Sequence, residues 1–209
     1  MIGKIIRYIY SGAFYSKILK KRDQILTSLK TNYYRRKSNI TLGDNTSLFY
    51  KALIIGEGDF VIGKNLRLGR SHRGYHAGMP FYTYLVTSEK TAKIKVGDNS
   101  RINAAAIHAY SEISIGNNCL IASGVHIIDS NGHELLSNDR TVGMDKPSPI
   151  SIGNNVWIGL NAVILKGTII GDNSVVAAGS IVKGIFPPNS LIQGNPARIV
   201  KTLDICNYY

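Results

Sequence analysis

Residues 148 to 182 carry the sequence SPISIGNNVWIGLNAVILKGTIIGDNSVVAAGSIV, which repeats every six residues. Neither an α-helix, with 3.6 residues per turn, nor a continuous strand, with a period of two, produces such a repeat. Very short strands joined by regularly spaced turns do produce it, as in solenoid proteins. We therefore expect one aliphatic residue per hexad to point into a shared core, with a compact residue four positions later packed beside it. The aliphatic positions are Ile152, Ile158, Ile164, Ile170, Val176 and Val182, and the compact ones are Val156, Ala162, Thr168, Ser174 and Ser180.

A longer repeat contains these hexads. The tetrad aliphatic-Gly-polar-Asn occurs six times, at spacings of 20, 34, 19, 37 and 18 residues. Three hexads make 18 residues, so each tetrad marks one coil of a three-sided prism, interrupted by two large insertions. Gly and Asn are the residues that best tolerate positive φ, which indicates a turn at each tetrad. The tetrads begin at Leu42, Ile62, Val96, Ile115, Ile152 and Ile170.

Two further motifs accompany the repeats: IGNNVWIG at 152–159 and PPNSLIQGNPARIV at 187–200. With them, the chain from about Val96 onward resembles the hexapeptide-repeat acyltransferases, in particular the galactoside, maltose and polysaccharide O-acetyltransferases. The resemblance implies an all-β solenoid, a left-handed parallel β-helix, assembled as a homotrimer. It also implies transfer of an acetyl group from acetyl-CoA to a saccharide hydroxyl, in cell-surface polysaccharide or lipopolysaccharide biosynthesis. The left hand comes from the family, because parallel crossovers are ordinarily right-handed.

The charge is concentrated at the N-terminus. Residues 1–37 hold ten Lys or Arg and one acid, Asp23, so they account for +9 of the net charge of +12. We interpret 1–37 as a basic amphipathic helical leader and 38–209 as the β-helix acyltransferase domain with a C-terminal cap. The leader either lies on an anionic membrane or packs on the end of the prism with a solvated charged face. No recognition motif accompanies the charge, so nucleic acid is not expected as a partner.

Other features bear on location. No apolar run reaches the ~18 residues that cross a bilayer, and Lys4, Arg7 and Lys17 interrupt any signal-peptide core. Two cysteines, Cys119 and Cys206, make no disulfide framework. The sequence therefore favours a cytoplasmic protein, and a membrane-bound leader would place it at the inner face of the membrane.

The two insertions are predicted near 69–93 and 128–150. The second contains His133, in the segment Asp129-Ser-Asn-Gly-His133. A sugar hydroxyl is a poor nucleophile until a base takes its proton, and imidazole suits that step near neutral pH. A lone histidine in a loop is ordinarily inert, but the resembling enzymes carry their catalytic histidine in this loop. The resemblance thus makes His133 the general base, with Asp129 or Glu134 as groups that could orient it.

Two outward residues are candidate substrate contacts. Trp157 directly precedes the inward Ile158, so strand alternation places it on the outer surface, where it forms a ligand wall or a cap under the loop. Asn103 follows the inward Ile102 and is expected to point outward in the same way. By resemblance, both contact the acceptor, and Trp157 also lines the pantetheine end of the site.

The resemblance also assigns a coenzyme A site in a groove between adjacent prisms. In that site, the resemblance implies that the backbone of Leu160 and of Ala178 contacts coenzyme A. Lys183, Arg198 and Lys201 are the cations available for the phosphates. The family commonly has Thr-Lys after its GSIV motif, whereas here Lys183 follows directly, so its contact is shifted by one position.

Three alternatives stay open. The same fold hosts zinc-dependent carbonic anhydrases, which need three converging histidines. The five histidines here show no repeat-matched spacing, so we expect no metal: His72 and His76 are interpreted as surface residues, His126 as outward and His108 as an irregular core position. The acceptor could instead be a small non-sugar molecule such as serine or an antibiotic. The chain could also be a non-catalytic scaffold.

Overall fold

The computed structural model describes residues 12–70, 78 and 81–204, which form one helix and 21 strands in three sheets. Helix α1 spans Gly12–Arg35. Sheet A contains, in spatial order, β1 (Ile40–Leu42), β4 (Asp59–Ile62), β7 (Lys93–Val96), β10 (Glu112–Ile115), β13 (Ile150–Ile152), β16 (Ile169–Ile170) and β19 (Ile185–Phe186). Sheet B contains β2 (Ser47–Leu48), β5 (Arg67–Leu68), β8 (Arg101–Ile102), β11 (Leu120–Ile121), β14 (Trp157–Ile158), β17 (Val175–Val176), β20 (Ser190–Gly194) and β21 (Ala197–Thr202). Sheet C contains β3 (Leu53–Ile55), β6 (Tyr84–Thr87), β9 (Ala106–Ala109), β12 (His126–Ile128), β15 (Val163–Leu165) and β18 (Ile181–Val182).

The chain visits the three sheets in a fixed cycle of A, B and C. Each strand pairs in parallel with its counterpart one coil away, and the last pair, β20 with β21, is antiparallel. The result is a parallel β-helix with three outer faces, A, B and C. We name its corners after the faces they join: A/B, B/C and C/A.

The core consists of the predicted hexad positions. The six aliphatic residues between Ile152 and Val182 are at most 2% exposed, and so are the compact residues beside them. The earlier coils continue the same columns, with Ile102, Ile121 and Ile158 in register across sheet B. Because every inward residue stacks on its counterpart in the next coil, the core runs the length of the prism.

The tetrads form the A/B corner, but Gly and Asn serve different purposes there. The six tetrad asparagines have φ between 53° and 59°, as predicted. The tetrad glycines do not have positive φ, so this part of the prediction was wrong. They are needed because successive coils touch: a Cβ on Gly116 would lie 2.6 Å from the carbonyl oxygen of Gly153. Carboxamide ladders reinforce the corner, for example from Asn65 Nδ2 to Asn99 Oδ1 at 3.0 Å.

Two segments depart from the coils. The first runs from 69 to 83 and is shorter than the predicted 69–93, because β6 pairs with β3 and β9. The second runs from 129 to 149 and leaves at the C/A corner. The prediction for His108 was also wrong: Ile107 fills the core position at 0% exposure, since the preceding turn is one residue shorter, and His108 faces outward.

Helix α1 packs on β1 and β2, where it closes the first coil. The contacts are polar as well as apolar. The Tyr34 hydroxyl, buried at the end of the core, accepts a hydrogen bond from Ile54 N (3.1 Å) and donates one to Ile54 O (3.3 Å). Thr31 Oγ1 accepts from Leu48 N at 3.0 Å. The helix therefore seals one end of the prism, and the β20–β21 hairpin forms the predicted cap at the other.

The opposite side of α1 is apolar and faces outward. Its six large side chains range from 38% to 64% exposed. No helix in the part of the chain that the structure describes is long and apolar enough to span a membrane. The six exposed side chains on this side of α1 are those of Tyr15, Ile18, Ile25, Leu26, Leu29 and Tyr33.

Candidate functional site

A single column of outward side chains runs down face B. Strand pairing puts these residues side by side in successive coils, about 4.8 Å apart. The column begins with a serine followed by two arginines, becomes apolar in the middle and ends with a lysine. Its members are Ser47, Arg67, Arg101, Leu120, Trp157, Val175, Leu191 and Lys201.

Trp157 lies at the middle of this column. Its side chain is 51% exposed beside Leu120, which agrees with the prediction that it faces outward. Asn103 lies two coils away, at the B/C corner. It is only 8% exposed, so it is less accessible than predicted. Its side-chain amide has no hydrogen-bond partner among the described residues, and it lines the cleft between α1 and face B.

The B/C corner offers unused backbone donors, among them two at residues predicted to contact coenzyme A. In the described structure, no acceptor lies within hydrogen-bond reach of the N–H groups of Leu160 and Ala178. The two residues occupy the same corner one coil apart, because Gly179 N donates to Leu160 O at 2.7 Å. Two coils before Leu160, the equivalent N–H of Ala104 is occupied by Thr83 Oγ1 at 2.9 Å. Ser123 N, one coil before Leu160, likewise has no acceptor among the described residues, so the free donors begin at Ser123 and include the two positions that the resemblance assigns to coenzyme A.

The three predicted phosphate-binding cations are all exposed but lie in different places. Arg198 is paired with Gln193 and continues the B/C corner beyond Ala178. Lys201 ends the face B column. Lys183 follows β18 and lies across face C, at the C/A corner. The structure thus groups Arg198 and Lys201 with the two backbone donors and separates Lys183 from them.

His133 is exposed in the loop at the C/A corner, which is opposite face B in a three-sided prism. In the described part of the chain, no hydrogen bond, ion pair or ring contact joins His133 to Asn103 or Trp157. The tip of this loop is apolar, with Leu136 86% and Leu135 68% exposed. Within one chain, the described residues therefore show no direct contact between the predicted base and the predicted acceptor wall.

The base of the His133 loop is fixed by a partly buried ion pair. Lys166 Nζ contacts both carboxylate oxygens of Asp145 at 2.6 Å, and Asn131 N donates to Asp145 at 2.8 Å. These bonds, first from Lys166 and then from Asn131, lower the pKa of the Asp145 carboxyl. Asp145 thus ties the segment just before His133 to strand β15 and its turn.

The two acids proposed as orienting groups are engaged elsewhere. Asp129 is fully buried and accepts hydrogen bonds from the N–H groups of Tyr110 (2.7 Å) and Ser111 (2.8 Å). Glu134 accepts from Leu136 N at 3.2 Å. Asp129 therefore caps the turn of the preceding coil instead of orienting His133.

Two other histidines, His108 and His126, lie on strands of face C. His108 Nε2 is 2.7 Å from Ser88 Oγ, and its ring stacks on Tyr110. Burial lowers the pKa of His108, although the nearby Asp129 carboxylate works in the opposite direction. His126 faces outward as predicted and meets the Phe81 ring at 5.4 Å. His72 and His76 lie outside the described residues.

No group of three His, Cys, Asp or Glu side chains is placed to hold a metal ion in residues 12–70, 78 and 81–204.

The first insertion returns to the prism near the acceptor side. Ser123 Oγ donates to Gly78 O at 3.0 Å across the B/C corner, and Phe81 covers part of face C. Ser123 and Asn103 occupy this corner in adjacent coils. The insertion is therefore placed where it can border the same ligand as Asn103.

Arg67 and Arg101 are not among the site residues predicted from the sequence. Each directly precedes an inward aliphatic residue, as Trp157 does, so the alternation rule places both on face B. The insertion between them makes them 34 residues apart, which hid that they are neighbours in adjacent coils.

Comparison with known proteins agrees with this architecture. The family model described as hexapeptide repeat of succinyl-transferase matches residues 93–128 and 149–183. Galactoside O-acetyltransferase from Escherichia coli is 40% identical over 115 residues, which cover 54% of this chain and 56% of that protein. A putative lipopolysaccharide biosynthesis O-acetyl transferase from the same organism is 38% identical over 50% of this chain and 58% of the relative.

A solved structure shows the same similarity in three dimensions. Galactoside acetyltransferase in complex with coenzyme A superposes with a TM-score of 0.51 and 39% identity, over 57% of this chain and 59% of that one. The chain spans a little more than half the length of these curated relatives. Residues 149–183, which the family model matches, belong to the later coils and include Trp157 and the free backbone donors at Leu160 and Ala178. The chain therefore has the left-handed parallel β-helix fold, and its later coils are similar to those of hexapeptide-repeat proteins and of galactoside O-acetyltransferase.

Proposed function

We propose that this protein is an O-acetyltransferase that moves an acetyl group from acetyl-CoA to a saccharide hydroxyl in cell-surface polysaccharide or lipopolysaccharide biosynthesis. One observation carries the proposal. An exposed tryptophan, Trp157, and the unused N–H groups of Leu160 and Ala178 lie on adjoining parts of the prism. These residues lie within 149–183, which match the hexapeptide-repeat family model, and the chain is also similar to a galactoside acetyltransferase solved in complex with coenzyme A.

In the proposed donor site, the N–H groups of Leu160 and Ala178 donate to the amide oxygens of the pantetheine arm. Arg198 and Lys201 bind the phosphates through charge-assisted hydrogen bonds. Lys183, at the other corner, reaches a coenzyme A only if that molecule is bound by a neighbouring copy. The thioester then lies near Trp157, which forms its wall.

The proposed reaction is direct transfer in a ternary complex. His133 takes the proton of the acceptor hydroxyl while its oxygen attacks the thioester carbon. The resulting tetrahedral oxyanion is stabilised by hydrogen-bond donors lining the site. Its collapse breaks the carbon–sulfur bond, and the leaving thiolate of coenzyme A takes the proton from the His133 imidazolium. The products are the acetyl ester and free coenzyme A.

This reaction requires His133 to meet face B, and we propose that a homotrimer brings them together. His133 lies opposite face B in its own chain, whereas the loop of one subunit can reach face B of the next. The apolar tip of that loop supports such an interface, because Leu135, Leu136, Val142 and Met144 are all more than half exposed.

We further propose that α1 lies on an anionic lipid surface at the cytoplasmic side of the membrane. Its exposed apolar stripe is bordered by the exposed cations Lys21, Arg22 and Arg36, the arrangement of an interfacial helix. Replacement of Ile25 and Leu29 by Asn should abolish co-sedimentation with phosphatidylserine vesicles and leave transfer to a free sugar unchanged. Unaltered co-sedimentation would show that the stripe is not the lipid contact.

The central test is release of coenzyme A from acetyl-CoA across nucleotide sugars, oligosaccharides, serine and aminoglycosides. The His133→Ala variant should lose about 10²- to 10⁴-fold in kcat with its affinity for acetyl-CoA retained. His126→Ala is the matched control and should lose less than about twofold. Near-normal transfer by His133→Ala contradicts the mechanism. Release only with serine or an antibiotic favours a non-sugar acceptor, and failure of acetyl-CoA to raise Tm favours a scaffold.

A further inference from the structure

A basic cleft lies between α1 and the first coils of face B. Its volume is about 710 Å³. Four cations line it, Lys20, Arg67, Arg70 and Arg101, against one acid, Asp23. The Asp23 carboxylate already accepts a hydrogen bond from Arg22 Nη2 at 2.8 Å. The cleft therefore has an excess of positive charge.

Two of these cations form an unusual pair. Arg67 and Arg101 are directly opposite each other on adjacent strands, and both are exposed. Like charges in this arrangement destabilise a sheet. In the described chain, neither guanidinium has a hydrogen-bond or ion-pair partner. An anion held between the two would remove the repulsion, and guanidinium groups match phosphate and carboxylate oxygens with paired hydrogen bonds.

A third observation connects the pair to a ligand. The Asn103 amide, 8% exposed and unpartnered within the described residues, lines the same cleft. The polar atoms of this amide keep some exposure, so they can donate to and accept from a ligand in the cleft. The cleft also continues into the face B column through Leu120. Arg101 is two strands from Trp157, or about 10 Å.

We propose that this cleft binds an anionic group, phosphate or carboxylate, of the acetyl acceptor. Resting on the proposed acetyltransferase function, this narrows the acceptor to an acidic or phosphorylated saccharide. Arg67 and Arg101 hold the anion with Lys20 at the rim. Asn103 binds the sugar between the anion and Trp157. Coenzyme A enters from the opposite end of the column, so the two anionic ligands occupy separate cationic regions.

The test compares methyl glucoside, glucose 1-phosphate and glucuronic acid as ligands of the full-length protein, by calorimetry and by coenzyme A release. A charged sugar should bind at least about tenfold more tightly than the neutral one, and binding should weaken with salt. Arg67→Gln and Arg101→Gln should each weaken charged-sugar binding about tenfold and leave binding of methyl glucoside and coenzyme A unchanged. The preference between phosphate and carboxylate identifies the anion.

Lys93→Gln, on the outer side of sheet A, is the matched control and should change none of these values. Equal binding of neutral and charged sugars, or weaker coenzyme A binding by the arginine variants, overturns the proposal. Calorimetry measures sugar binding whether or not acetyl transfer occurs. The anionic cleft and the acetyltransferase function can therefore be contradicted independently. Charged-sugar binding without coenzyme A release under any condition contradicts only the acetyltransferase function. Release that is equally efficient with neutral sugars contradicts only the anionic cleft.

Discussion

At the scale of single residues, the A/B corner shows how two small residues of one motif meet different demands. The asparagine must adopt positive φ, which costs ordinary residues roughly 1–2 kcal/mol. The glycine must let two coils touch, so any side chain there meets the backbone of the next coil. The first requirement concerns the conformation of one residue and the second concerns its neighbours.

We predict that Gly116→Ala destabilises the protein by about 1–3 kcal/mol, because its Cβ would lie 2.6 Å from a backbone oxygen that cannot move without shifting a coil. Urea unfolding measures the change. Ser114→Ala is the control, since Ser114 faces outward on the strand just before Gly116. A Gly116→Ala midpoint equal to that of Ser114→Ala would show that the coils can separate at little cost.

At the scale of elements, the His133 loop depends on a few anchoring contacts. The Asp145–Lys166 pair is mostly shielded, with the two side chains 9% and 21% exposed. By comparison, the Lys95–Glu112 pair on face A is about 40% exposed on both sides. The shielded pair lies at the base of a loop with an exposed apolar tip, so it fixes where the loop leaves the prism.

We predict that Asp145→Asn makes the amides of residues 129–149 exchange a few-fold faster at pH 7 and lowers kcat more than it raises KM for acetyl-CoA. The reason is that Lys166 would lose its carboxylate and the loop would lose its orientation. Glu112→Gln, which breaks the exposed pair, should change neither value. Hydrogen exchange with mass spectrometry measures the loop directly, and unchanged exchange in Asp145→Asn would exclude an anchoring role.

The protection of the loop amides against hydrogen exchange should also depend on pH and should be lost at low pH. Lys166 lowers the pKa of Asp145 in the folded protein, so the stabilisation is present above the ordinary carboxyl pKa. It is lost only as the pH falls through the lowered value. Loop protection should therefore be the same at pH 7 and about pH 5 and should decrease below about pH 4. A decrease that begins at about pH 6 would point to a different group.

At the scale of the whole molecule, the loop of the predicted base leaves the prism at the corner opposite the predicted acceptor wall, and the proposed trimer would bring the two together. We predict that co-expressed His133→Ala and Trp157→Ala subunits recover activity that neither variant has alone. Random assembly in a ring gives each interface a one-in-four chance of an intact His133 and Trp157, so about a quarter of wild-type activity is expected.

The control for this recovery replaces the Trp157→Ala partner with the His133→Ala, Trp157→Ala double variant, which offers no intact histidine and should give no gain. Light scattering should show a trimer for every mixture. Trimers without recovered activity would mean that each active site is built from one chain.

The register of the prism could be predicted from the sequence, because it depends on patterns that are local in the chain. An inward side chain every six residues and an asparagine with positive φ depend on residues within a few positions of each other. For the same reason alternation correctly placed Trp157 outward. It failed for His108, where a turn one residue shorter shifted the core position to Ile107.

The tertiary structure was needed to show which residues lie close together. The reason is that the two insertions interrupt the regular spacing of the hexads along the sequence. Arg67 and Arg101 are 34 residues apart and adjacent in space, and Asp145 meets Lys166 across 21 residues. The paths of the insertions depend on contacts such as Ser123 with Gly78, 45 residues away, that no local pattern records. Repeats fix a fold through short-range geometry, whereas the basic cleft and the position of His133 follow from where the chain returns.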